Sequence, residues 1–268
     1  MPSHPAPPAA SAPPDAADAA DAADAAVPAT GPGPRSLAGQ VVLVTGGGRR
    51  VGRAICEELA AAGARIVVHY HRSAAEAEAL AARLGGDALG ADLRSAAATE
   101  ALFAAIARAH GRLDALVNSA AIFGRTPFAA LTDAEWDEQL ATNLTAPMRC
   151  TRSAVRLGAR AIVNLVDIAA WQPWIGYSAY SVAKAGLLQL TRVLARELAP
   201  TVRVNAVAPG VVAFAEDLDE ATRQRVLGRV PLGRCGEPAD VARAVRFLLT
   251  EPFLSGVCLP VDGAQGLR

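Results

Sequence analysis

The stretch QVVLVTGGGRRVGRAI, residues 40–55, decides the fold. A β-branched apolar run over 40–45 predicts a buried strand, which passes through a glycine turn into a segment of helical period. Glycines let the backbone approach a pyrophosphate closely, and the start of a helix offers unpaired N–H groups and a positive dipole end. A glycine turn is also a common connection between a strand and a helix. It indicates a dinucleotide site here because it lies directly between the first strand and an amphipathic helix. Gly46, Arg50 and Val51 are the candidate cofactor contacts.

The same alternation continues along the chain and predicts an α/β fold, a Rossmann-like, doubly wound parallel sheet of seven strands with helices on both faces. We expect strands over 40–45, 65–70, 87–91, 113–118, 161–166, 202–207 and 257–261. We expect helices near 51–62, 73–84, 96–110, 132–157, 178–199 and 238–250. Thr132 with Glu135 predicts a capping box, and Gly63 a left-handed helix stop. Ligands of such sheets bind at the carboxyl ends of the strands.

Composition limits the class of protein. The chain has 268 residues, 52% of them hydrophobic, with 26 basic and 26 acidic side chains, so one large domain over 37–268 is expected. That charge balance does not call for a nucleic-acid partner. No apolar run reaches the roughly 18 to 20 residues of a membrane span. The four cysteines lack metal-ligand spacing, so we expect no metal site and a reducing, cytoplasmic compartment.

Residues 1–36 differ in kind, since they are rich in Ala and Pro and carry an aspartate at every third position from Asp15 to Asp24. Such a segment cannot bury enough apolar surface to offset its ordering entropy, so it is predicted to be disordered. It lacks the basic start and apolar block of a secretory signal. It could be a tether or a solubility tail, but we favour a tolerated extension.

The second predicted strand ends in HYHRS, residues 69–73, where an NAD-specific site usually carries an acidic residue for the ribose 2′-hydroxyl. His71, Arg72 and Ser73 supply donors instead, and an arginine fork suits a 2′-phosphate, so NADPH is the expected cofactor. The alternative is that Arg72 is only a solvated loop charge. Later strand ends place four more candidates for adenine and ribose contacts on the same rim: Asp92, Leu93, Asn118 and Ala120.

Tyr180 and Lys184 are four residues apart, so they share one face of a predicted helix. A phenol is a poor acid–base group at neutral pH, and a nearby ammonium lowers its pKa by favouring the phenolate. Lys184 is the only lysine in a chain with 25 arginines. A compact ammonium reaches a ribose hydroxyl better than a broad guanidinium does. Tyr-x-x-x-Lys alone is a common accident, but a sole lysine placed after the fifth strand is not.

Together these residues resemble the short-chain dehydrogenase/reductase family over 37–268. The resemblance is carried by the glycine turn at 45–52, Asp92, Asn-Ser-Ala-Ala at 118–121, Asn143, Tyr180 with Lys184, and Pro209–Gly210. It implies that Tyr180 donates or accepts the proton, that Lys184 binds the nicotinamide ribose and tunes Tyr180, and that Asn143 anchors a proton-relay water. It also implies cofactor contacts at Pro209 and Gly210 and a homotetramer.

Two residues depart from that family's pattern. Asp167 stands where the family has a serine that donates to the substrate oxygen. An ionised carboxylate there would repel the developing charge by several kcal/mol at an effective dielectric of about 20, so a plain ketone is disfavoured. A ring with N–H groups, or with a nitrogen that gains a proton, fits Asp167 better. Arg50 replaces a glycine of the phosphate turn and could face a planar substrate.

Both departures, together with HYHRSAAEA at 69–77, resemble the pteridine reductase branch of the family. That resemblance implies a pterin stacked on Phe123, with apolar walls from Trp174 and Tyr177, although ordinary packing is an alternative for all three. The segment VVAFAEDLDEATRQRV, 211–226, where substrate choice is usually settled, gives no further prediction.

We therefore expect NADPH-dependent reduction of a dihydrobiopterin, dihydromonapterin or dihydrofolate substrate, with hydride passing from nicotinamide C4 to a ring carbon. Tyr180 and Asp167 would manage the protons. Two alternatives stay open at this point. One is a carbonyl reductase of 3-oxoacyl thioesters that tolerates a protonated Asp167, and the other is a non-catalytic NADP(H)-binding sensor.

Overall fold

The computed structural model describes residues 36–214 and 219–267, so the predicted tail lies outside the described residues except for Ser36. The strands are β1 (Val41–Val44), β2 (Arg65–Tyr70), β3 (Asp87–Gly90), β4 (Ala115–Asn118), β5 (Ala161–Leu165), β6 (Arg203–Pro209) and β7 (Cys258–Val261). The helices are α1 (Arg50–Ala61), α2 (Ala74–Leu84), α3 (Ala96–His110), α4 (Asp133–Leu140), α5 (Ala146–Arg156), α6 (Ser178–Glu197), α7 (Glu220–Leu227) and α8 (Pro238–Thr250). Short 3-10 turns cover Phe128–Ala130, Ile168–Ala170 and Gln265–Leu267.

The seven strands form one parallel sheet in the order β3-β2-β1-β4-β5-β6-β7, which confirms the predicted doubly wound fold. Alternate residues of β1 pack into two different layers of the core, one on each face of the sheet. Val42 and Val44 pack with α1, α2 and α8, whereas Val41 and Leu43 pack with α3 and α5. Both faces of the sheet are therefore covered by helices, which explains why the strands read as continuous apolar runs.

The strand order reverses beside β1, which pairs with β2 on one side and with β4 on the other. Ligands of doubly wound sheets bind in the crevice at such a switch point, outside the carboxyl ends of the strands. The glycine turn after β1 and the loop after β4 meet there, since a Cβ on Gly46 would lie 2.9 Å from the Cα of Ala120.

The predicted helix over 132–157 is interrupted. α4 and α5 are separated by one π turn, Ala141–Thr145, which inserts an extra residue into the helical path. The capping box of Thr132 and Glu135 is confirmed at the start of α4, and Gly63 has the predicted left-handed φ, +90°. α7 was not predicted, and all but its last residue lies in the segment 211–226. None of the helices in the two described ranges is long and apolar enough to cross a membrane.

Candidate active site

The turn between β1 and α1 depends on close backbone packing. Gly46 has a φ of +63°, and a Cβ on Gly52 would lie 2.2 Å from the carbonyl oxygen of Gly46, so neither position accepts a side chain without a shift of the backbone. Arg49, the N-cap of α1, makes no side-chain cap hydrogen bond. The first N–H groups of α1 therefore lack the side-chain cap that α4 has, which fits a site for a pyrophosphate.

Arg50, the first residue of α1, has a φ of +50°, which is unusual for a residue other than glycine. Its side chain is exposed and forms no salt bridge with any residue in 36–214 or 219–267. Val51, by contrast, packs against the core layer of α1 and α8. The backbone is thus held in a costly conformation that leaves the Arg50 guanidinium available to a ligand.

Beyond β2 the chain exposes His71 and Arg72, and Ser73 follows as the N-cap of α2 without a side-chain cap hydrogen bond. The Nε2 atom of His71 lies 3.8 Å from Oδ2 of Asp92. Arg72 has no salt-bridge partner in the part of the chain that the structure describes. These donors therefore fit a 2′-phosphate, as the sequence predicts, and that contact remains a prediction.

Asp92 follows β3 and is bound by an arginine that sequence reasoning missed. The Nη2 atom of Arg94 donates to its Oδ2 at 2.8 Å, and this partner lowers the pKa of Asp92 to about 2. Arg94 also donates from Nη1 to Glu138 of α4 at 2.7 Å. Asp92 is therefore ionised at neutral pH, while the neighbouring Leu93 is buried. The Asp-x-Arg spacing was the available signal.

The side chain of Asn118 is not part of the rim. It is 2% exposed, and its Nδ2 donates to Oδ1 of Asn164 at 2.8 Å and to the hydroxyl of Thr151 at 3.2 Å. The Asn118 amide therefore joins β4 to β5 and α5 inside the protein, and the adenine or ribose contact expected of Asn118 remains a prediction. Its backbone and that of Ala120 still lie at the switch point.

Thr45 is a second residue that sequence reasoning missed. Its buried hydroxyl accepts hydrogen bonds from the backbone N–H groups of Ser119 at 2.9 Å and Ala120 at 3.0 Å. It thereby fixes the loop after β4 against the glycine turn. The only signal was its place directly before Gly46.

Asn143 lies in the π turn and is fully buried. Its Oδ1 accepts from the N–H of Ile122 at 3.2 Å, and its Nδ2 donates to the carbonyl of Ile122 at 3.1 Å and to Oε1 of Gln139 at 2.7 Å. Asn143 thus fixes the loop that carries Phe123. Its role with a relay water remains a prediction.

The predicted catalytic group is brought together at the carboxyl end of β5. The hydroxyl of Tyr180 donates to Oδ2 of Asp167 at 2.8 Å, and Oδ1 of Asp167 accepts from the N–H of Ala169 at 2.8 Å. The ammonium of Lys184 donates to the carbonyl of Leu165 at 2.7 Å and lies 5.7 Å from the centre of the Tyr180 ring. A carboxylate, a phenol and an ammonium therefore share one partly dry space.

Burial sets the titration of this group. It raises the pKa of Asp167 and, together with the Asp167 charge, raises the pKa of Tyr180. Burial also lowers the pKa of Lys184 to about 8. The net shift in the pKa of Tyr180 is therefore upward in this arrangement, because the phenol is buried and donates to a carboxylate that favours its neutral form; the tuning of Tyr180 by Lys184 remains a prediction.

Three further aromatic side chains, Phe123, Tyr177 and Trp174, stand beside Tyr180 of this group. Phe123 stacks on Tyr177 with ring centres 4.8 Å apart, and it meets Tyr180 at 5.0 Å and Trp174 at 6.4 Å edge to face. Phe123 is 60% exposed, so it is not a core residue. A cavity of about 250 Å³ opens next to these rings and is lined in part by Phe123, Tyr177, Tyr180 and Gln139. Phe123, the predicted stacking partner, and Trp174 and Tyr177, the predicted apolar walls, therefore contact one another.

Pro209 and Gly210 lie at the carboxyl end of β6. The N–H of Gly210 donates to the carbonyl of Val261 at 3.0 Å, and a Cβ on Gly210 would meet Asp262 and Gln265 at 2.8 Å. Both residues lie at the carboxyl end of the strands, as does Asp167, the hydrogen-bond partner of Tyr180. Their cofactor contacts remain predictions. The described residues contain no cluster of His, Cys, Asp and Glu side chains suited to a metal ion.

Comparison with known proteins completes this description. A family model described as enoyl-(acyl carrier protein) reductase matches residues 46–264. The chain belongs to the short-chain dehydrogenase/reductase family. It is similar to a 3-oxoacyl-(acyl-carrier-protein) reductase of Synechocystis sp., with 34% identity over 86% of this chain and 98% of that relative. It is similar to an acetoacetyl-CoA reductase of Rhizobium meliloti, with 35% identity over 84% and 98%.

Among solved structures, a dehydrogenase/reductase from Sinorhizobium meliloti 1021 superposes with a TM-score of 0.80 and 37% identity, covering 86% of this chain and 97% of that one. Membership of this family makes the chain an oxidoreductase and argues against the non-catalytic sensor. The two curated relatives are by name reductases of 3-oxoacyl-(acyl-carrier-protein) and acetoacetyl-CoA, so they support the 3-oxoacyl alternative and give no support to the pteridine branch.

Proposed function

We propose that the protein is an NADPH-dependent reductase of a pterin-type ring. The observation that carries this proposal is the hydrogen bond from Tyr180 to Asp167, 2.8 Å long. It places a carboxyl group where an ordinary ketone reductase needs a donor to the substrate oxygen. A carboxylate accepts hydrogen bonds from ring N–H groups and repels a developing alkoxide.

Reduction of a ring C=N bond adds a hydride to carbon and a proton to nitrogen. The reduced nicotinamide, when bound, supplies the hydride. Asp167 and Tyr180 retain a proton between them, because burial raises the pKa of both groups. That proton is therefore held beside the aromatic cavity, within reach of a ring nitrogen. Lys184, fixed by the Leu165 carbonyl, would hold the nicotinamide ribose.

The exposed face of Phe123 supports a planar substrate. Its ring stacks on Tyr177 and is nearly perpendicular to the ring of Tyr180, and the residue stays 60% exposed. Aromatic faces stack on flat heterocycles, and the exposed guanidinium of Arg50 is a planar donor for such a ring. Arg72 and Ser73 favour NADPH over NADH, because a guanidinium and a hydroxyl can both donate hydrogen bonds to a 2′-phosphate.

A second candidate is favoured by the names of the curated relatives, which reduce 3-oxoacyl-(acyl-carrier-protein) or acetoacetyl-CoA. The burial that raises the pKa of Asp167 favours its protonated form, which could donate to a ketone oxygen. On this alternative, protonated Asp167 would donate a hydrogen bond to the substrate oxygen, as the serine of the family does. The two candidates therefore differ in the protonation state that Asp167 needs.

The decisive assay follows NADPH oxidation by the purified protein with four substrates: dihydrobiopterin, dihydromonapterin, dihydrofolate and an acetoacetyl thioester. We expect kcat/KM for one of the three pteridines to exceed that for the thioester by at least about tenfold. Turnover of the thioester alone would establish the second candidate instead. Failure of all four would overturn both.

Asp167→Ser sharpens the assay. Serine can still accept from the N–H of Ala169, so the local fold should persist. We expect pterin turnover to fall by about a hundredfold, as for loss of a general acid or base, and thioester turnover to be retained or to rise. Asp114→Ser is the matched control, because Asp114 lies at the amino end of β4 and its carboxylate likewise accepts from a backbone N–H, that of Val41. Full pterin activity in Asp167→Ser would show that the carboxyl group is incidental.

A further inference from the structure

His69 is a buried, titratable residue that the proposed chemistry does not use. It lies in β2, directly before Tyr70, and is 2% exposed. Its imidazole bridges two segments that are distant in sequence. The Nδ1 atom receives the N–H of Gly46 at 3.1 Å, and the Nε2 atom lies 3.1 Å from the carbonyl oxygen of Ala91.

The partners fix the tautomer of this histidine. A backbone N–H can only donate and a carbonyl oxygen can only accept, so Nδ1 of His69 is unprotonated and Nε2 carries the hydrogen. Burial lowers the pKa of His69 to about 4, which keeps the ring neutral under ordinary conditions. In a protonated ring, the N–H at Nδ1 would face the N–H of Gly46, so this hydrogen bond would be lost.

Both bonded segments carry predicted cofactor contacts. Gly46 opens the phosphate turn in a left-handed conformation, and Ala91 directly precedes the ionised Asp92. The backbone of His69 adds a third contact, because its carbonyl accepts from the N–H of Gly47 at 3.0 Å. One residue thus ties the turn after β1 to the end of β3 across the end of β2.

We propose that His69 is a positioning residue of the cofactor site, whose neutral imidazole holds the glycine turn and the Asp92 segment in the arrangement that binds the dinucleotide. This inference rests on the NADP(H)-binding part of the proposed function and is independent of the substrate. It assigns to His69 no contact with substrate and no part in proton transfer.

Three substitutions separate the two bonds. Asn can retain the acceptor for Gly46, Gln can retain the donor to Ala91, and His69→Leu removes both. Binding of NADP⁺ to the full chain is measured by calorimetry, alongside urea unfolding and the KM and kcat for NADPH. Ile106→Ala is the control, because it creates a cavity in the core layer of α3 and so lowers stability without touching this site.

We expect His69→Leu to raise the Kd for NADP⁺ and the KM for NADPH by about tenfold, with kcat at saturating NADPH within about twofold of the parent, since both side-chain hydrogen bonds to backbone are lost. Asn and Gln should give smaller increases, and Ile106→Ala none. If His69→Leu does not fold, the Asn and Gln variants still test the idea. Unchanged Kd in the soluble His69 variants would overturn it.

Two further outcomes separate this inference from the proposed function. An equal rise of Kd in Ile106→Ala would show that general destabilisation is enough, which would also overturn it. Failure of the unaltered protein to bind NADP⁺ would overturn the NADP(H) assignment itself, and this inference with it. Histidine nitrogen shifts in the unaltered protein should report an unprotonated Nδ1 on His69, and a protonated Nδ1 would contradict the geometry.

Discussion

At the cofactor end of the site, the buried side chains of Thr45 and His69 hold backbone groups in place, whereas at the chemical end backbone groups hold the side chains of Lys184 and Asp167. Thr45 accepts from the N–H groups of Ser119 and Ala120, and His69 accepts from that of Gly46. At the other end, the carbonyl of Leu165 accepts from Lys184, and the N–H of Ala169 donates to Asp167.

This difference decides what each end tolerates. Where the backbone is the ligand, the requirement is for space and conformation, so glycines and the side chains that hold them are sensitive. Where side chains do the chemistry, their identity is required even at a cost to stability, because burying a charge is unfavourable. Substitutions at the two ends should therefore change stability and activity in different proportions.

The largest effect is expected for Lys184→Met. The side chain is 3% exposed and burial lowers its pKa to about 8, so removing the charge should leave the free energy of unfolding unchanged or raise it. We expect kcat/KM to fall by about a thousandfold, because the ammonium beside Tyr180 is lost. Steady-state kinetics and urea unfolding measure the two effects.

Lys184→Arg is the control for charge alone. A guanidinium keeps the charge but does not fit the compact space beneath Tyr180, so it should not restore activity. A loss of stability in Lys184→Met, or activity within about tenfold of the parent, would contradict the contrast between the two ends.

A smaller effect, chiefly on stability, is expected for Gly52→Ala at the cofactor end. The new Cβ would lie 2.2 Å from the Gly46 carbonyl oxygen, so the turn has to shift. We expect a loss of about 1 to 3 kcal/mol in the free energy of unfolding and a rise of about tenfold in the Kd for NADP⁺. Chemical denaturation and calorimetry provide the values.

Gly228→Ala is the matched substitution. Gly228 has a φ of −60°, and its nearest neighbour would be 3.4 Å from the new Cβ, so alanine should be accommodated. Equal effects of the two substitutions would show that the tight approach at Gly52 is unimportant.

The smallest effect is expected for Arg50→Gly. Glycine adopts a φ of +50° without strain but has greater freedom in the unfolded chain, so the free energy of unfolding should change by no more than about 1 kcal/mol. The KM for NADPH or for substrate should rise by several-fold, because an exposed guanidinium is lost from the turn. Arg49→Gly, next to it at an exposed position, should leave KM unchanged. Equal KM changes in both variants would remove the special role of Arg50.

Much of the fold follows from local signals. All seven strands were predicted, because each is a short apolar run between turn residues, and the start of α4 was predicted from the Thr132 and Glu135 capping pair. The π turn was not predicted, because the apolar period continues through 141–145 without a break in composition. What distinguishes it is the bonding of Asn143 to Ile122, a contact between segments far apart in the chain.

The site divides in the same way. The four-residue spacing predicted that Tyr180 and Lys184 share one helix face, and Asp167 was identified because the family has a serine at that position. Neither signal showed that the Tyr180 phenol donates to the Asp167 carboxylate. Spacing also did not show that the Asn118 side chain turns inward to a buried partner, Asn164 on the adjacent strand. His69 and Thr45 act on backbone groups, and no motif marks such partners.

The solitary lysine also makes the protein unusually simple to probe by covalent labelling. A reagent selective for primary amines has two targets in the whole chain, the α-amino group and Lys184, and the latter is 3% exposed. A lysine-specific protease likewise has one cleavage position, in the middle of α6. Modification or cleavage at Lys184 therefore reports directly on opening of the chemical end, and protection by bound nucleotide can be read by mass spectrometry without any engineered tag.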